Sequence, residues 1–79
     1  MITQEAFPQD WAMTQNNLAI AYKNRIKGDK AKNIELAIQY YNAALQVYTQ
    51  EASPRYWVAT QNSLGGAYIE RIKGNKAEN

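Results

Sequence analysis

Side chains suited to a buried face return along this chain at helical intervals, in three blocks. In the first, Trp11, Leu18, Ala21, Tyr22, Arg25 and Ile26 fall three, four or seven positions apart, which places them on one stripe of an α-helix. Trp57, Leu64, Ala67, Tyr68, Arg71 and Ile72 redraw that stripe near the C-terminus. Between them Ile34, Ala37, Ile38, Tyr41, Ala44, Leu45 and Tyr48 form an amphipathic pattern uninterrupted by Gly or Pro. The expectation is an all-α chain of three helices.

Local punctuation sets the expected boundaries. Ser53-Pro54 reads as an N-cap followed by proline at the first helical position, where the missing N–H costs nothing, and Phe7-Pro8 is a weaker version of that start. Gly28 and Gly74 follow Lys27 and Lys73, as suits a left-handed residue just past a helix end with cations near its negative pole. Asp29 and Asn33 compete to cap the middle helix. These signals predict helices over residues 8–27, 32–52 and 54–73, joined by one substantial loop from Gly28 to Asn33.

The first and third blocks are copies. Residues 1–33 laid over 47–79 match at 19 of 33 positions, among them Pro8/Pro54, Trp11/Trp57, Leu18/Leu64, Tyr22/Tyr68 and Gly28/Gly74. A period of 46 residues lies in the range of stacked helical repeats, each too small to bury its own apolar face. The chain then divides into the end of a preceding helix (1–6), one repeat (7–52) and the first half of a second (53–79). Both ends look like interior cuts, which leads us to expect self-association: the stripe of Leu64, Tyr68 and Ile72 is left partly uncovered, and arrays ordinarily carry polar caps.

Composition narrows the functional classes. With 46% hydrophobic and 20% charged residues the chain matches an ordinary soluble domain, and no apolar run reaches the ~18 residues of a membrane span. A cytoplasmic location without a membrane partner is the expectation. Cys and His are both absent, which removes thiolate and imidazole chemistry and the usual zinc ligands. Helical spacing brings no two of the acids Glu5, Asp10, Asp29, Glu35, Glu51, Glu70 and Glu78 together onto an apolar face, whereas general acid–base catalysis needs a held, desolvated group. We therefore expect no enzyme, no cofactor and no metal.

Leu64-Gly65-Gly66-Ala67-Tyr68 resembles the first-helix signature of the tetratricopeptide repeat, with Leu18-Ala19-Ile20-Ala21-Tyr22 as its variant. Ala37-Ile38-Gln39-Tyr40-Tyr41-Asn42-Ala43-Ala44-Leu45 resembles the second-helix signature. The period exceeds the family's usual 34 residues, so both helices must be longer. Trp11-Ala12-Met13-Thr14-Gln15-Asn16-Asn17-Leu18 and Arg25-Ile26-Lys27-Gly28-Asp29-Lys30-Ala31-Lys32-Asn33 are similar to the long repeats of bacterial, notably cyanobacterial, proteins that also carry a CHAT caspase-like domain. The resemblance implies antiparallel helix–turn–helix repeats, about one and a half of them, cut from a right-handed superhelical solenoid whose first helices line a concave face that receives a partner peptide or domain. Proteins of that family that grip a C-terminal carboxylate place an Asn where this chain has Ile20 and Gly66, so that clamp is not expected.

Candidate contact residues follow from position. Off the stripes of the first-type helices stand the polar Asn16 and Asn62, with Met13, Ile20, Lys23 and Asn24 nearby in one copy and Ser63 and Glu70 in the other. A carboxamide both donates and accepts, so Asn16 and Asn62 can pair with an extended peptide backbone; equally they can bridge neighbouring helices. Arg25, Lys27, Lys30, Lys32, Arg71, Lys73 and Lys76 gather at the far ends of the first-type helices and the loops after them. Such an edge suits an acidic partner or a phosphate backbone, or is solvated charge complementing helix dipoles. A net charge of only +2, with no aromatics interleaved, argues against nucleic acid. The aromatics Trp11, Trp57, Tyr22, Tyr41 and Tyr68 are expected in helix interfaces.

Overall fold

The structure is a computed structural model that describes residues 2–25 and 27–78, with side chains described through Gly74. The described residues form three helices: α1 (Pro8–Lys23), α2 (Lys30–Ala44) and α3 (Pro54–Glu78). The all-α expectation holds. Of the predicted stripe residues, Ile26 lies outside the described residues.

α2 packs against both α1 and α3. Ala12, Ala19, Ala37, Ala44 and Ala67 are fully buried, and these small side chains let the backbones approach closely. Around them one cluster joins Ala19 of α1, Ile34, Ala37, Ile38 and Tyr41 of α2, and Leu64 and Ala67 of α3. A second joins Ala12, Ala44 and Tyr48, with Trp11 and Val47 against it. Each large side chain taken out of water this way contributes about 1.5–3 kcal/mol. Tyr22 stacks on Tyr40 with centroids 5.6 Å apart, and Tyr48 stacks on Tyr56 at 4.9 Å.

α1 and α3 run side by side in register. Gln9 Nε2 donates to Ser53 Oγ at 3.3 Å, Thr60 Oγ1 donates to Asn16 Oδ1 at 3.5 Å, and the Lys23 ammonium reaches Gly66, where an added Cβ would stand 2.9 Å from Nζ. Residues 9, 16 and 23 lie one heptad apart, so these contacts form a ladder down one edge of α1. Ser53 holds the expected position just before α3, where its carbonyl accepts from Trp57 N–H and its hydroxyl accepts from Gln9.

Three boundaries differ from expectation, each for a local reason. α1 ends at Lys23, not at residue 27. The Asn33 carboxamide donates to the Lys27 carbonyl at 3.0 Å, and Arg25 N closes a tight turn onto Tyr22 O, so the chain is drawn back toward α2. Gly28, at φ +87°, makes the left-handed turn in that loop, and Asp29 caps α2 by accepting from the N–H groups of Ala31 and Lys32. α2 stops at Ala44, so residues 45–52 are turns instead of helix. There Gln46 and Val47 shift to carbonyls three residues back, and the Thr49 hydroxyl takes the Ala52 N–H at 3.1 Å, drawing the backbone out of a helix. Residues 3–6 repeat that device with Thr3 and Ala6, so the segment expected as a helix end is a turn.

The third difference is at Gly74, which is helical where a left-handed stop was expected. The turn at Gly28 is held by Asp29, by Asn33 and by the packing of Ile34; at Gly74 the helix runs on to Glu78, at a cost of about 1 kcal/mol for the glycine.

Burial also departs from the predicted stripe. Leu64 and Ala67 are buried, but Leu18 is 37% exposed and Ala21 is exposed; Tyr68, Arg71 and Ile72 are exposed as well. In place of Leu18, α1 turns Ala12 and Ala19 inward. The two sequence-equivalent helices thus bury different faces, and each leaves part of its apolar surface exposed.

Candidate interaction surface

The off-stripe residues of the first-type helices separate into two groups. Met13 and Ile20, seven residues apart on α1, are exposed, and Asn24 at the C-cap extends the row. On α3 the equivalent positions are Ala59, Gly66 and Glu70, and the face thus spans both helices. Asn62 is exposed too. The other candidates are engaged between helices. Asn16 accepts from Thr60, Lys23 crosses toward Gly66, and Ser63 hydrogen-bonds Tyr41. Asn16 and Asn62, equivalent in sequence, have different surroundings: one bridges helices and the other faces outward.

Burial pushes the Tyr41 phenol above its ordinary value, partly opposed by the Ser63 hydrogen bond. Burial also raises the Tyr48 phenol, with the nearby Tyr56 and Asp10 adding in the same direction. These phenols belong to the packing.

At the opposite end from the chain turns 3–6 and 49–52, the N-terminal half of α2 and the C-terminal part of α3 enclose a groove of about 1020 Å³. Lys30, Lys32, Arg71 and Lys73 from the basic edge line it, together with Glu70. Arg25 and Lys27 are exposed in the nearby loop, and the Lys76 side chain lies outside the described residues. Sequence reasoning did not single out Glu35, and it named Glu70 as a contact residue without its cationic partner. Glu35 Oε2 pairs with Arg71 Nε at 2.9 Å, and Glu70 Oε2 lies 3.7 Å from Lys30 Nζ. The groove is therefore of mixed charge over an apolar floor of Ile34 and Leu36. The spacing of Glu35 from Arg71 could not have revealed the pair, because it depends on how α3 lies on α2. Both pairs are solvent-exposed and contribute little to stability.

Among the described residues no cluster of three or more Asp, Glu, His or Cys is placed to hold a metal ion. Among the described residues no helix is long and apolar enough to cross a membrane. Comparison of the chain with protein-family models, with curated proteins and with solved structures gave no match.

Proposed function

We propose that the chain is a non-catalytic protein-interaction module of tetratricopeptide-like repeats that takes a partner peptide or domain across the face shared by α1 and α3. The observation that carries the reading is the row of Met13, Ile20 and Asn24 beside Ala59, Gly66 and Glu70. Met13 is 51% exposed and Ile20 also stands in water, so neither serves the core, while two parallel helices hold the row flat. An apolar ridge beside small residues suits an extended or helical segment with apolar anchors. In this reading the module is cytoplasmic and works within a longer array.

Self-assembly as a structural spacer is the second reading, favoured by the apolar residues that α3 leaves exposed. A nucleic-acid partner fits less well, because Glu35 and Glu70 neutralise part of the basic groove.

A random peptide library panned against the chain, then repeated with a Met13→Glu, Ile20→Glu variant, tests the reading. Loss of the selected peptides by the variant at unchanged thermal stability is expected. Peptides that bind both proteins equally would contradict it. Binding that collapses as salt rises and is shared by oligonucleotides would favour the phosphate reading.

A further inference from the structure

Two positions that break the 46-residue repeat touch each other across the α1–α3 boundary. Lys23 stands where the second copy has Ile69, and Gly66 stands where the first has Ile20. The Lys23 ammonium crosses from α1 onto Gly66, where a Cβ would come within 2.9 Å of Nζ, so a side chain of the Ile20 kind would take its place. Lys23 is half-buried there, and among the described residues it has no carboxylate partner, whereas Lys30 and Arg71 each have one. Glu70, one turn beyond Gly66, is engaged by Lys30 at 3.7 Å. One heptad before Lys23, Asn16 accepts from Thr60 through Oδ1, and among the described residues its amide nitrogen donates to nothing.

We propose that this junction receives one acidic side chain, aspartate or glutamate, from the partner segment that lies on Met13 and Ile20. The inference rests on the peptide-binding reading above and adds its charge. An ammonium held partly out of water without a counterion is unfavourable, and an incoming carboxylate offsets that cost with a charge-assisted hydrogen bond. Asn16 and Lys23 form an edge of donors beside the apolar row of Met13 and Ile20. An extended segment running along α1 therefore sets apolar side chains on the row, accepts from Asn16 through a main-chain carbonyl and ends its contact with the acid at Lys23. Met13 and Lys23 are separated by roughly 15 Å of helix, the span of about four or five extended residues. A phosphate fits less well, because its second charge would face Glu70.

The test pans a phage-displayed random dodecapeptide library against the intact chain and its Lys23→Met and Lys23→Glu variants, with thermal melts to confirm folding. The intact chain is expected to select peptides with one Asp or Glu about four or five residues from the apolar side chain whose contribution Met13→Glu abolishes. Changing that acid to its amide in a synthetic copy should weaken binding about tenfold to the intact chain and leave binding to Lys23→Met unchanged. Lys23→Glu should select Lys or Arg in the same place. Should Lys23→Met melt early, Gly66→Ala replaces it: the new Cβ displaces the ammonium, in a helix that alanine favours. Selected peptides that need Met13 and Ile20 but carry no acid, or whose acid counts equally with Lys23→Met, overturn the proposal and leave the reading of the face standing. Failure to select any peptide that depends on Met13 and Ile20 overturns both. Tighter binding of a phosphoserine peptide than of its glutamate counterpart overturns the assignment to a carboxylate.

Discussion

Thr60 Oγ1 donates across the α1–α3 boundary to Asn16 Oδ1 at 3.5 Å, while its sequence equivalent Thr14 turns its hydroxyl back onto the Asp10 carbonyl of its own helix at 3.0 Å. One repeated letter thus has two partners, decided by whether another first-type helix lies alongside. Asn16→Ala should cost about 0.5–1.5 kcal/mol, the scale of a hydrogen bond that leaves its partner unpaired, whereas Asn62→Ala should stay within about 0.5 kcal/mol. Chemical denaturation of the two single variants measures both. Equal losses would mean that Asn16 does not bridge the helices.

Gly28 and Gly74 should respond in opposite directions. Gly28 sits at φ +87°, where an added Cβ is strained, so Gly28→Ala is expected to destabilise by about 1 kcal/mol or more. Gly74 is helical with open space around it, and Gly74→Ala should stabilise by up to about 1 kcal/mol. Thermal melts of both variants decide; a loss at Gly74 would show a left-handed turn there.

Alkaline pH should loosen the fold through its buried phenols. Tyr41 and Tyr48 have folded pKa values raised above the ordinary 10.0. Below that value both are neutral in the folded and unfolded chain, so they add no pH dependence. Above it the unfolded chain ionises first, and stability falls as pH rises toward the folded values. Tyr41→Phe should make this decline shallower, as read by circular dichroism melts alongside tyrosinate absorbance. A decline of unchanged slope in the variant would remove Tyr41 as a cause.

Much of the architecture was legible because helical spacing and the 46-residue repeat are local properties. Pro8, Pro54 and Asp29 mark helix starts that the structure keeps. Gly74 misled because a glycine stops a helix only when later packing requires the turn, as Asn33 and Ile34 do after Gly28. Thr49 misled differently: its hydroxyl takes a backbone N–H, a competition that hydrophobic periodicity does not register. For the candidate surface, the sequence placed Met13 and Ile20 outside the core. It could not separate Asn16 from Asn62, nor show Glu35 beside Arg71, since these depend on which helices are neighbours.

α1 and α3, closely similar in sequence, bury different faces and so leave part of each apolar surface open. Leu18 and Leu64 carry that claim, at 37% and 7% exposure in equivalent positions. Denaturant unfolding of Leu18→Ala and Leu64→Ala compares them directly. Leu64→Ala should lose about 2–5 kcal/mol, through lost burial and the cavity left behind. Leu18→Ala should lose about 1 kcal/mol or less, as for a residue in contact with water. Equal losses, or a larger loss at Leu18, would contradict the claim.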